Sequence, residues 1–574
     1  MIKKNFWQII IGIGIFLSVF WAGKGLFKYS FYQTHDIARH LARSYDAIIS
    51  IKEGQFPLRW SGLLNYNCGT PTFTFYFPGF YYLVAAIYPF VKSVMSAIKV
   101  VSFLSLLVGT LFFFLWMKEE TKDKWAALAG SLLYLYAPYT FLLIYVRGSP
   151  EYLSFGVLPV VLYFYAKAFS AKGDLSFLTS CFLAAVTGGF LAISHNIVSL
   201  FIMPVILLYL LIKFWQSRGL KVHQIMLICF SFISAFGLGA FFIFPAFLEQ
   251  KFTKLAIPIF NYQHHFPTLA QVIYSKWGFG DSAIGIVDDA MSFQLGFAQW
   301  AVLLLVAIWL IFNLVKKVPI SKYIWVVVFW VLSLFFLYLV LPISIPFWQK
   351  VRFLQTIQFS WRLLGICVFT LSALFSFWLS KVKSKFVYWP VLIGVVLLAF
   401  LGNRNHLLSQ PVLESELSLY RDLDNLCLNC QKVPAFAETT LPSTASQSCF
   451  FTTPLVESGE SRDKLLAQEI TRGSTFGSIK LDINKDKLIG NQIILNLSYF
   501  PEIFHIKINE KDVPYEDCGG RVCVKTSDLD NGINNILWKV GETELERFFD
   551  LVSLSFLGTW VFILVYFLPK HKIK

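Results

Sequence analysis

The sequence predicts a multi-spanning α-helical membrane protein of about 12 transmembrane helices, with an extracytoplasmic β-sandwich near its C-terminal end. Three observations predict it. Of 574 residues, 56% are apolar and 14% are charged, and Phe occurs 60 times; a soluble particle of that make-up would be coated in hydrocarbon. Twelve mostly apolar runs have the length of roughly 17 to 25 residues that a helix needs to cross a bilayer. The stretch 403–546 then breaks with both patterns, being polar with strand-like alternation. The formal charge of +15, from 49 Lys+Arg against 34 Asp+Glu, does not point to nucleic acid. The basic residues lie in short clusters between apolar runs and are not gathered on one polar domain.

The predicted spans lie near 6–26, 98–116, 125–145, 150–168, 175–194, 197–214, 225–247, 298–315, 323–345, 361–380, 386–402 and 549–568. The first follows Met-Ile-Lys-Lys but lacks a small-residue cleavage site and has a long apolar run, so it is expected to be an anchor, not a signal peptide. The apolar stretch from Pro78 to Pro89 is too short between its prolines to be a thirteenth span. It is read as a helix at 78–92 lying along, or dipping into, the outer leaflet. Twelve crossings put Lys3, Lys4, Lys118, Lys122, Lys124, Lys167, Lys172, Lys213, Arg218, Lys221, Lys316, Lys317, Lys322, Lys381, Lys383, Lys385, Lys570, Lys572 and Lys574 on one face. The positive-inside rule makes that face, and both termini, cytoplasmic. The expected organisation is a membrane domain over 1–402 with a long first outer loop at 27–97, an outer loop at 248–297, an extracytoplasmic β-rich domain over 403–546, and a last span with a basic tail over 547–574.

Strands in the β-rich domain are expected from Gly477, from Gln492 and from Phe504, with turns at Asn509 and at Cys518-Gly-Gly. Five of nine cysteines, Cys427, Cys430, Cys449, Cys518 and Cys523, fall there, on the side where oxidation is favoured. Cys518 and Cys523 flank the tight turn and are placed to close a hairpin disulfide. A zinc site on Cys427-x-x-Cys430 would need two more ligands that the spacing does not identify. The remaining Cys68, Cys181, Cys229 and Cys367 are expected to be inert.

Ionisable groups near membrane depth are expensive and are therefore functional candidates. Asp36 follows the first span; Arg147 and Glu151 bracket the outer mouth between the third and fourth; His195 sits at the turn between the fifth and sixth; Glu249 ends the seventh; Arg352 and Arg362 flank the tenth. All are expected on the outer surface. Each also has a plainer reading. Asp36 fits an N-cap for an amphipathic helix at 37–52. Arg147 and Glu151, four apart, fit a neutralising pair, and His195 fits a satisfied interfacial histidine. His264, His265, Asp288 and Asp289 are read as solvated, and Trp60 and Trp361 as interfacial belt residues.

The first loop carries a resemblance. Thr34-His-Asp-Ile-Ala-Arg-His-Leu, Glu53-Gly-Gln-Phe-Pro-Leu-Arg-Trp60, Cys68-Gly-Thr-Pro-Thr-Phe and Phe75-Tyr-Phe-Pro-Gly-Phe-Tyr-Tyr-Leu83 resemble the start of a bacterial family, the 6-pyruvoyl-tetrahydropterin synthase-related membrane proteins. These in turn resemble glycosyltransferases of the C fold (GT-C). Shorter matches are Tyr145-Val-Arg-Gly-Ser-Pro-Glu151, Ser194-His-Asn, Phe244-Pro-Ala-Phe-Leu-Glu249 and Gln358-Phe-Ser-Trp-Arg362, with Gly79 and Ser360 standing where the family pattern has proline. Nothing in the residues supports pterin chemistry.

The resemblance implies a cup of helices open to the outer face, a donor sugar on polyprenyl phosphate, and an acid soon after the first span. That acid is Asp36, which would take the proton of the acceptor hydroxyl in an inverting transfer, with partial burial expected to raise its pKa. Arg147, Arg352 and Arg362 are the candidates for gripping the donor phosphate, since guanidinium binds it bidentately and stays charged. His35, Glu151, His195 and Glu249 rank as supporting or substrate-binding residues. Some GT-C enzymes use a divalent ion, but no Asp-x-Asp pair lies in the first loop and no obligatory metal or other cofactor is expected. The acceptor is a lipid, a glycan or a protein. The alternative reading is a non-catalytic binder or transporter of lipid-linked glycans in cell-envelope assembly.

Overall fold

The computed structural model describes residues 2–217, 219–254, 261–283, 289–426, 456–458, 467–484 and 491–567. Cys427, Cys430, Cys449, Asp288, Arg218, Lys570, Lys572 and Lys574 lie outside the described residues. The protein is a multi-spanning helical membrane protein with a β-rich unit inserted before its last long helix. Among the described residues, nine helices are long and apolar enough to cross a membrane, and three bent pairs bring the number to as many as 12. Each bend has a local cause. Leu135 and Pro138 bound a 47° break and Val340 and Pro342 an 88° break, in each of which proline starts the second half; the 58° break between Val222–Leu238 and Ala240–Leu248 falls at Gly239. The apolar stretch read as a helix at 78–92 is a helix over Gly79–Val91, which starts after Pro78 and runs through Pro89.

The first loop is built around the helix Ile37–Lys52. Its apolar side, including Ile37, Leu41 and Ile48, is buried against the spans. Asp36, Arg39, His40 and Arg43 follow the i, i+3, i+4, i+7 spacing that places residues on one face. Asp36 occupies the cap position but makes no side-chain cap; Thr34 Oγ1 accepts from Ile37 N instead, at 3.1 Å. A short ladder joins β1 (Tyr32–Gln33) to β2 (Gln410–Pro411), tying the entrance of this loop to the segment after the helix Lys385–Asn403.

Nine more strands form two sheets. One orders β3 (Val456–Ser458), β6 (Gln492–Ser498), β10 (Arg521–Lys525) and β9 (Glu516–Asp517); the other orders β4 (Ala467–Arg472), β5 (Phe476–Ile483), β11 (Gly532–Val540), β7 (Phe504–Ile508) and β8 (Lys511–Val513). Alternate residues face inward, so Ile479, Leu481, Ile506, Ile536 and Trp538 pack against Ile493, Leu495, Val522 and Val524 in one core. Cys518 and Cys523 are disulfide-bonded across a turn whose Gly519 and Gly520 both have positive φ.

Trp60 and Phe75 of the first loop belong to that same core, and Trp60 meets Phe504 edge-on at 5.1 Å between centroids. Trp60 is thus a core residue of the sandwich and not part of an interfacial belt, because the first loop reaches up into the β-domain. Asp46 and Glu53 hold the junction. Asp46 accepts from Ser474 Oγ (2.5 Å) and Leu63 N (3.2 Å); Glu53 accepts from Ser474 N (3.1 Å) and Thr475 N (2.7 Å). Cys68, expected to be inert, is disulfide-bonded.

Candidate functional site

A cavity of about 710 Å³, within the usual range for ligand sites, opens beside the N-terminal half of Ile37–Lys52. One wall is the polar stripe Asp36, Arg39, His40 and Arg43; Arg147, His195 and Arg362 come from three other segments, and Phe279 and Asp281 stand at the mouth. Asp281 is 89% exposed.

The backbone fixes Asp36 from across the cavity. Residues Leu142–Arg147 form a wide π turn that ends at Gly148, whose φ is +61°. Its carbonyls face the loop after the first span: His35 N donates to Val146 O (3.0 Å) and Asp36 N to Arg147 O (2.9 Å). A Cβ at position 148 would fall 2.0 Å from Thr34 Oγ1, so glycine is required both for the turn and for the close approach.

The charged groups form a lattice that is buried at Glu151, Arg147 and Arg362 and open at Arg39. Asp36 meets Arg39 at 3.0 Å and Arg147 at 3.4 Å. Glu151, fully buried behind the wall, lies 2.9 Å from Arg362 Nε, 3.9 Å from Arg147 and 3.9 Å from His195 Nε2, and accepts from the Tyr139 hydroxyl at 3.2 Å. An unpaired carboxylate there would be prohibitive; partnered by two guanidiniums it locks both. Arg147 stacks 4.6 Å above Trp361, Arg362 lies 5.2 Å from the Phe359 ring, and Arg43 sits 3.8 Å over Tyr76. Trp361 is thus a buried platform and not a belt residue.

His195 Nδ1 accepts from Val198 N at 3.3 Å, capping Asn196–Gln216, so its proton sits on Nε2 toward Glu151; the ring packs on Phe77 at 4.4 Å. His35 Nε2 donates to Phe279 O at 3.1 Å. Burial pushes His40 down to about 3, with Arg43 adding to the effect, so it is neutral beside Tyr81. Asp36 departs from expectation. Burial alone would raise its pKa, but the guanidiniums of Arg147, Arg39 and Arg362 together hold it below the ordinary carboxylate range. Four guanidiniums against Asp36, Asp281 and Glu151 leave a surplus positive charge, suited to an anionic ligand.

The structure brings together Asp36, His35, Arg147, Glu151, His195 and Arg362. It does not bring in two others. Arg352 is exposed on a short helical turn, Arg352–Ile357, and does not line the cavity; the chain breaks at Gln358, with φ of +68°, before the separate turn Ser360–Leu363 that carries Arg362. Glu249 follows Ala240–Leu248, which packs on the last long helix, Glu544–Phe567; there it accepts from Thr543 Oγ1 at 2.6 Å. Burial, with Glu546 nearby, pushes Glu249 up to about 7. Sequence reasoning missed Arg39, His40, Arg43, Tyr76 and Gln358, of which the first three were open to discovery as a polar stripe in register with Asp36. Among the described residues, no group of three or more His, Cys, Asp or Glu is arranged to hold a metal ion. Asp289 is not simply solvated: it accepts from Gln271 and from Ala283 N.

No family model matches the chain. Over 234 residues it is 28% identical to a protein of Lactococcus lactis subsp. cremoris (strain MG1363) described as uncharacterized; the match takes in 39% of this chain and 37% of that relative's length. Two solved structures of ArnT from Cupriavidus metallidurans are similar at 12% identity and a TM-score of 0.32. The apo form covers 65% of this chain and 77% of its own; the form bound to undecaprenyl phosphate covers 72% and 91%. None of these relatives supports membership in the 6-pyruvoyl-tetrahydropterin synthase-related family.

Proposed function

We propose that the protein is a membrane glycosyltransferase of GT-C type that moves a sugar from a polyprenyl-phosphate donor to an acceptor on the outer face of the cytoplasmic membrane. The observation that carries this reading is the display of the Asp36 carboxylate, beside Arg39 and Arg147, in a cavity with surplus guanidinium charge. In the proposed step the acceptor oxygen attacks the anomeric carbon, Asp36 takes the hydroxyl proton as that bond forms, and polyprenyl phosphate leaves with the electron pair of the broken C–O bond, inverting the centre. Asp36 is a weak base in the ground state, which suffices because the hydroxyl becomes acidic only as the new bond forms. Arg39 and Arg147, both in contact with Asp36, are the groups we assign to the phosphate, with Glu151 holding Arg147 and Arg362 in place.

Sidedness rests on the ends of the helices. Glu151 begins and Lys167 ends the same helix, and Lys167 joins Glu119 and Lys122, near the Glu120–Lys213 pair, at the end away from the cavity. The positive-inside rule assigns that basic end to the cytoplasm.

The test is Asp36→Asn in purified full-length protein, assayed with a synthetic polyprenyl-phosphate hexose. Turnover is expected to fall on the order of 10²–10⁴-fold, the range for loss of a general base, with donor binding kept. Unchanged turnover would overturn the assignment of Asp36; donor binding without turnover in either form would establish the non-catalytic binder or transporter.

A further inference from the structure

The five-stranded sheet has a second face, turned away from the sandwich core. There the cross-strand registers set Phe476, Lys539 and His505 in one row, and Ser478, Leu537 and Lys507 in the next. Phe476 and Leu537 are each 43% exposed. With Thr471, which pairs with Ser478, these residues line an open trough of about 410 Å³. Gly541 leaves room for the imidazole at the end of the first row, since a Cβ there would lie 2.7 Å from His505 Nε2.

The chemistry of the trough is specific. Its floor is apolar and aromatic, its rim carries two ammonium groups and an imidazole, hydroxyls stand at one side, and among the described residues no carboxylate lines it. An acid at the edge, Asp512, pairs loosely with Lys507 at 3.8 Å, both side chains being about half exposed or more. Apolar side chains left open in a concavity mark a binding surface. The geometry points to an anionic saccharide, a glycan segment bearing phosphate or carboxylate groups, as the occupant: the C–H face of a sugar ring lies on Phe476 and Leu537, its hydroxyls meet Ser478 and Thr471, and its acidic groups meet Lys507 and Lys539. A flat bilayer surface fits less well, because these apolar groups line a concavity. This inference is independent of the transferase reading, since it concerns binding to the sandwich and is measured without turnover.

The experiment uses the full chain in detergent and measures binding of oligogalacturonate, dextran sulfate and neutral dextran, and of phosphatidylglycerol vesicles. Two trough variants, Phe476→Ala and the pair Lys507→Gln with Lys539→Gln, are compared with a control of equal charge change, Lys511→Gln with Lys525→Gln. Both trough variants are expected to weaken binding of at least one anionic saccharide about tenfold or more, with unchanged Tm, while the control changes it less than twofold and neutral dextran does not bind. Equal loss in the control, or no loss in Phe476→Ala, would overturn the proposal as general charge attraction. Vesicle binding that depends on the trough, with no saccharide binding, would replace it by a membrane contact.

Discussion

Thr34 and Asp36 divide two tasks that one residue usually performs. Because the Thr34 hydroxyl closes the helix start, the Asp36 carboxylate is free for Arg39 and Arg147. Those guanidiniums hold its pKa below the ordinary carboxylate range against the opposing pull of burial. A depressed folded value means that the stabilisation from this group is present above the unfolded pKa and is lost as pH falls through the folded one. The acid limb of a pH–rate profile is therefore expected below the range of a free aspartate. Replacing Arg147 with Ala is expected to move that limb upward by about one unit or more, which pH–rate measurements on the two proteins would resolve; an unmoved limb would remove Arg147 as the cause. Asp36 itself was legible because an acid at the mouth of a span is conspicuous. Arg39 and Arg43 were less so, since charged residues on a loop helix ordinarily face water, and only burial of that helix turns its polar stripe into a cavity wall. Glu249 and Arg352 were misplaced for the converse reason: proximity to a span end along the chain says nothing of which neighbour that end packs against.

Among the elements, the π turn Leu142–Arg147 and the helix Ile37–Lys52 do the positioning. Gly148→Ala would force a residue with a side chain to positive φ, at a cost on the order of 1–2 kcal/mol, and drive its Cβ into Thr34. It is expected to lower turnover at least tenfold while leaving the spans folded, as circular dichroism and an activity assay would show; full activity would mean the 35–36 to 146–147 ladder is dispensable. At the other end of Ile37–Lys52, burial pushes Asp46 up to about 7, with Ser474 and Leu63 opposing. A raised folded pKa gives stability that is complete below the unfolded value and fades as pH rises through about 7. Tm of the protein is thus expected to decline between about pH 4 and 7 by an increment that Asp46→Asn abolishes. Parallel slopes in the two proteins would show that Asp46 contributes no such dependence. The bends were written in the sequence as Pro138, Gly239 and Pro342, yet hydropathy windows run straight across them, because apolarity measures membrane depth and not direction.

For the molecule as a whole, the sequence read the spans well: bilayer thickness sets their length and turn residues set their ends. The strands from Gly477, Gln492 and Phe504 were likewise visible by alternation. What local pattern does not encode is that the first loop enters the sandwich, since Trp60 and Phe504 are joined only by the fold. Sidedness is checked by labelling. In protein with Cys229 replaced by Ser, Asp281→Cys at the cavity mouth is expected to react in intact cells with a membrane-impermeant maleimide, and Lys167→Cys only after permeabilisation. The reverse pattern would turn the cavity toward the cytosol and end the outer-face reading.

The sharing of Trp60 and Phe75 with strands near the other end of the chain has a consequence for biogenesis. About 425 residues separate Phe75 from Phe500, whose ring it meets edge-on in that core, so at roughly 5–20 residues per second the ribosome needs roughly 20–85 s to supply such partners. Through that interval the nascent loop holds two large aromatic side chains with no core to enter, exposed to wrong associations. Early burial of those rings against the emerging spans, or a factor that holds the loop, would bridge the delay before the sandwich closes over them.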